Sequence, residues 1–123
     1  MSERLLEIIV FILGGYAYAM IEILFRGYTH WTMVLTGGAC ILTIYIISGW
    51  LMSVPLVVGA LMCALIITFY EFCVGIIVNL RLGWQVWDYS DMPGNILGQI
   101  CPTFTILWFL LCLIFLSIVK LFA

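Results

Sequence analysis

Two carboxylates, three aromatic rings and an amide crowd into one short stretch of a chain that otherwise has few polar groups. Trp87-Asp88-Tyr89-Ser90-Asp91, with Trp84 before it and Asn95 after it, lies between apolar runs. Asp88, Ser90, Asp91 and Asn95 present oxygens of the kind that a hard cation such as Mg²⁺ or Ca²⁺ accepts. Their spacing is not that of an EF-hand, so a metal held by Asp88 and Asp91 is one reading and turn chemistry is the other. Asp, Ser and Asn favour Asx-turns and helix caps. Asp91-Met92-Pro93-Gly94-Asn95 reads as a turn, and Asn95 can cap a short helix over Ile96–Ile100. The rings of Trp87 and Tyr89 would stack on a ligand or anchor the segment.

The second chemical feature is Glu71. It precedes Arg81 by ten residues, about 15 Å along a helix, which sets it deep in an apolar run. An ionised carboxylate at that depth costs at least about 2.5–3.5 kcal/mol, so it must be neutral, paired or wetted. It could bind a proton, a cation or a substrate, or serve as hydrogen-bonding glue between helices. Ala60, Ala64, Thr68, Glu71, Gly75 and Asn79 share one helical stripe. Glu22 and Arg26 form a similar pair on an earlier stripe with Gly15 and Ala19, in the order that favours an i, i+4 ion pair.

These residues must be carried by membrane helices. The 123-residue chain is 67% hydrophobic and 8% charged, with a mean hydropathy of +1.32. A soluble domain is about 25% charged. The predicted class is an all-α, polytopic membrane protein, organised as a single domain over 1–123 and placed in the cell membrane. No basic patch points to nucleic acid, and no GxxxxGK[ST] motif points to ATP. No HExxH or serine–histidine–aspartate pattern assigns a catalytic residue, and nothing implies a cofactor. The five cysteines include no CxxC pair and read as small hydrophobes. Ala17-Tyr18-Ala19 mimics a signal cleavage site, but Glu7 interrupts the preceding apolar region, so the first run reads as a retained helix.

Apolar runs of roughly 20 residues predict four spans. These are Leu5–Phe25, Trp31–Ser48, Pro55 to about Asn79 or Leu80, and Pro102–Lys120. Short turns fall at Arg26–His30 and Gly49–Ser53, and a structured polar segment fills 81–102. Both termini then lie on one side of the membrane, while Glu22, Arg26, His30 and the polar segment fall toward the other. Arg4 and Lys120 balance Arg26 and Arg81, so the Lys/Arg bias gives no orientation and leaves room for a chain that inserts both ways.

Trp87-Asp88-Tyr89-Ser90, followed by Pro93, Asn95 and Gly98, resembles the WDYS-x-x-P-x-N-x-x-G signature of the bacterial "putative ABC-transporter type IV" (CmpB-like) permease family. Glu71 with Gly75 resembles its E-x-x-x-G, and Gly15, Glu22 and Arg26-Gly27 loosely resemble its first helix. Arg26 through Met33, with Gly37-Gly38, is similar to a short subgroup from Firmicutes and their mobile elements. The N-R-G-F-L-x-G-P and P-I-Y-G segments of longer members are missing. The resemblance implies a small transporter or permease. Its expected site comprises Glu71 and Glu22, with Arg26, as the ionisable groups and Asp88, Asp91, Asn95, Trp87 and Tyr89 as the mouth, open to one side. The expected partners are the lipid bilayer and further copies of the chain, with a dimer as the simplest assembly. Two other classes fit the same residues: a membrane enzyme acting on a lipid or isoprenoid, and a non-catalytic assembly protein.

Overall fold

The structure is a computed structural model and describes residues 2–122. Among these residues there are five α-helices: α1 (Glu3–Arg26), α2 (Trp31–Ile46), α3 (Ser48–Ser53), α4 (Leu56–Gly75) and α5 (Pro102–Phe122). A π-helical segment, Ile76–Arg81, continues α4 without a break. The chain divides into two compact units, Met1–Ile47 and Ser48–Ala123.

The first unit is an antiparallel hairpin of α1 and α2. Ser2 caps α1 by accepting from the Leu5 N–H, and Gly27 closes it in the left-handed conformation (φ 82°), its N–H donating to the Ile23 carbonyl. Glycine is the residue that reaches this conformation without penalty. His30 then opens α2, its ring nitrogen Nδ1 bonded to the Thr32 hydroxyl at 2.7 Å. What holds the two helices is close backbone approach. A methyl group at Gly15 would fall 2.4 Å from the Val34 carbonyl oxygen, and one at Gly37 would fall 2.2 Å from Cβ of Tyr18. Gly14 meets Ile41 and Gly38 meets Phe11 in the same way. Where apolar burial gives no advantage over lipid, such small-residue notches are how membrane helices gain contact.

The second unit pairs α4 with α5, again antiparallel. Gly59 lies against Leu116, and the Thr68 and Thr105 hydroxyls hydrogen-bond at 2.9 Å. Lys120 donates to the Val54 carbonyl at 2.6 Å. α5 therefore starts opposite the last turns of α4, and the π segment projects beyond it. The segment between them folds onto that projection.

Among the described residues three helical stretches are long and apolar enough to cross a bilayer: Glu3–Arg26, Leu56–Arg81 and Pro102–Phe122. α2, with 16 residues, is a shorter apolar helix. Two local expectations are corrected. The expected turn over Gly49–Ser53 is the helix α3, held by Leu51, which is almost completely buried, and stopped ahead of Pro55, whose ring disfavours helix at Val54. The expected helix over Ile96–Ile100 does not form. Leu97 (φ 54°) and Gly98 (φ 73°) are left-handed, and Ile96 and Ile100 face each other across a tight turn in an isolated β-bridge.

Candidate functional site

In the polar segment the backbone, having few regular partners, is satisfied by a small set of side chains. Asn79, on the π segment, is the hub. Its Oδ1 accepts from the backbone N–H of Val86 at 2.7 Å and of Trp87 at 3.4 Å, and its Nδ2 donates to Gln99 Oε1 at 2.8 Å. Gln99 Nε2 donates to the Leu97 carbonyl at 2.8 Å. The Trp87 indole donates to the Gln99 carbonyl at 2.9 Å. Trp87 (4% exposed) and Gln99 (3%) are thus buried against α4. They rest on Gly75, where a methyl group would sit 2.5 Å from Gln99 Oε1 and 3.0 Å from Cζ2 of Trp87. The wide i→i+5 turns of a π-helix are frequent at functional positions; here they carry Asn79 to the returning chain.

Asp88, Tyr89 and Asn95 organise the outer half of the same loop. Asp88 Oδ1 accepts from the Ser90 N–H at 2.9 Å, an Asx-turn, and lies close over Gly98. The Tyr89 N–H donates to the Gly98 carbonyl at 2.8 Å. Asn95 donates to the Ser90 and Met92 carbonyls and accepts from the Gly98 N–H. The Tyr89 ring stacks on Phe104 of α5, centroids 4.7 Å apart. Asp88 and Asp91 are exposed. Among the described residues no group of three or more His, Cys, Asp or Glu side chains is placed to hold a metal ion.

Glu71 is 4% exposed and accepts from the Trp108 indole N–H at 2.9 Å, across the α4–α5 contact. Thr68 and Thr105 form the next polar pair along that seam. In the first unit Glu22 (7% exposed) is held by Arg26 Nη1 at 2.8 Å and by the Thr29 hydroxyl at 3.1 Å. Arg26 continues to the Tyr28 hydroxyl at 2.9 Å and also lies over its ring. The ion pair expected from the i, i+4 spacing is therefore present. Among the described residues no buried side-chain nitrogen or oxygen lacks a hydrogen-bond partner.

The structure brings Trp87, Asp88, Tyr89 and Asn95 into one loop, leaves Asp91 at its exposed tip, and places Glu71 on the helix beneath. Sequence reasoning did not find Gln99 or Trp108. Each had a signal: a glutamine among Ile96, Leu97, Ile100 and Cys101, and a tryptophan far inside a span, away from the boundary that tryptophan favours.

Apolar helices of spanning length define a small α-helical membrane protein. The family model described as "Putative ABC-transporter type IV" matches residues 9–123, and the chain belongs to that family. No curated protein and no solved structure shows significant similarity to it.

Proposed function

We propose that the chain is a four-span, permease-like subunit that works as a homo-oligomer, with Glu71 as the ionisable group of its pathway and the Trp87–Gly98 loop as the lid. The observation that carries the reading is the burial of Glu71 against the Trp108 indole, in a helix otherwise apolar enough to lie in lipid. A carboxylate at that depth is costly and marks ion or proton pathways more often than packing. Membership in a transporter-type family supports the same direction. In this reading α2 is the fourth span. It packs antiparallel along α1, with Gly37 at Tyr18, Ile41 at Gly14 and Gly38 at Phe11. One copy offers too few helices to enclose a route, which is the reason to expect an assembly.

The test is flux. Purified protein in potassium-loaded proteoliposomes, with an internal pH dye and valinomycin to set the potential, should carry protons or a coupled cation. Glu71→Gln should remove that flux and leave the assembly size in nanodiscs unchanged. A Glu71→Gln protein with undiminished flux overturns the assignment. A second reading, a non-catalytic assembly protein, is favoured by the way the loop's hydrogen bonds close on one another. It expects no flux from the wild type and loss of assembly in Glu71→Gln.

A further inference from the structure

The amide pair between Asn79 and Gln99 has a position that loop stability alone does not require. Gly75 follows Glu71 by one helical turn, so the two share a face of α4, about 6 Å apart along its axis. Gln99 Oε1 sits on Gly75. The same oxygen takes the Asn79 Nδ2 hydrogen bond, and the backbone carbonyl of Gln99 takes the Trp87 indole. From the loop inward, the polar groups therefore run Asn79, Gln99, Glu71 with Trp108, then Thr68 with Thr105. Ile67, Val78, Val86 and Cys101, on the same segments, are also buried.

We infer that the Asn79–Gln99 amide pair, seated over Gly75, controls access from the polar loop to Glu71, and that what passes it is a proton or a small cation arriving through water. The inference rests on the proposed role of Glu71 and adds the residues that decide how the group is reached. Three features fit an access control. The pair joins two chain segments twenty residues apart, so breaking one side-chain bond releases the Gln99 amide from the π segment while Asn79 keeps its bonds to the Val86 and Trp87 N–H groups. Neither amide carries charge, so neither would trap a cation in transit. Gly75 supplies the seat, and a side chain there would displace the Gln99 amide outright.

Carbodiimides, which modify carboxylic acids, separate the two claims. A lipid-soluble carbodiimide reaches protonated carboxyls from the bilayer, whereas a water-soluble one needs an aqueous path. With the full-length protein in liposomes and modification of Glu71 read by mass spectrometry, the wild type should be labelled by the lipid-soluble reagent and scarcely by the water-soluble one. Asn79→Ala, which removes three hydrogen bonds, and Gln99→Met, which removes two, should each raise the water-soluble labelling at least about tenfold, since losing one buried hydrogen bond already favours opening several-fold. Gln99→Met keeps the volume over Gly75, so it separates access from collapse of the loop. Modification of Glu22, in the first unit, should not change in either variant. Equal water-soluble labelling of Glu71 in wild type and Gln99→Met overturns the access role while leaving Glu71 as a titrating group. Failure of both reagents to label Glu71 in every variant overturns the site reading and the access role together.

Discussion

At the scale of single residues, the polar loop is built on left-handed corners, and two of them are not glycine. Gln85 (φ 50°) and Leu97 (φ 54°) hold a conformation that costs an L-residue roughly 1–2 kcal/mol. Glycine removes that strain but adds unfolded-state entropy of about 0.5–1 kcal/mol. Gln85→Gly should therefore stabilise the protein by up to about 1 kcal/mol, measured by thermal denaturation in detergent. Leu97→Gly should do the same, since Leu97 is exposed and loses little packing. The Glu71–Trp108 bond is a second residue-scale feature. Interhelical hydrogen bonds in membranes couple by about 0.6 kcal/mol on average and up to about 1.7. A double-mutant cycle with Glu71→Met, which removes the acceptor, and Trp108→Phe should return a coupling in the upper half of that range, because the acceptor is almost wholly buried.

The elements are held by different means in the two units. The α1–α2 hairpin depends on glycine notches, and α4–α5 on a seam of polar pairs. Gly37→Ala would push a methyl into Cβ of Tyr18, backbone-anchored and unable to swing away. It should destabilise the hairpin by about 1–3 kcal/mol, the usual range for overpacking, seen as faster protease cleavage in the Gly27–His30 connection. Helix positions were readable from the sequence because apolar runs, Gly27 and Pro102 mark their limits chemically. The Glu22–Arg26 pair was readable because it is local. The π segment was not, since an i→i+5 register leaves no compositional trace in Ile76–Arg81. Nor was Gln99, whose partners Asn79 and Trp87 are twenty and twelve residues away. The short helix expected over 96–100 failed for a related reason. Asn95 does accept an N–H three residues ahead, as a cap would, but the chain that follows turns left-handed to bring Gln99 back onto Gly75.

For the whole molecule, the balance of Arg4 and Lys120 against Arg26 and Arg81 leaves orientation undecided by charge. Reporters fused to either terminus should detect both orientations, and Glu3→Lys with Glu7→Lys should shift the population to termini in the cytoplasm; a single wild-type orientation would exclude dual insertion. The hairpin adds a physical preference of another kind. Its two arms differ in length: α1 has 24 residues and α2 has 16. At 1.5 Å per residue, these are about 36 Å and 24 Å, on either side of a hydrocarbon core of roughly 30 Å. Under the four-span proposal the long arm can tilt, and thinning of the surrounding lipid is one way to match the short arm. Unfolding temperature should therefore rise as acyl chains are shortened from about twenty to about fourteen carbons, and the protein should collect in the thinner of two coexisting bilayer phases. Under the four-span proposal, the unequal hairpin should make bilayer thickness a variable to which this chain responds.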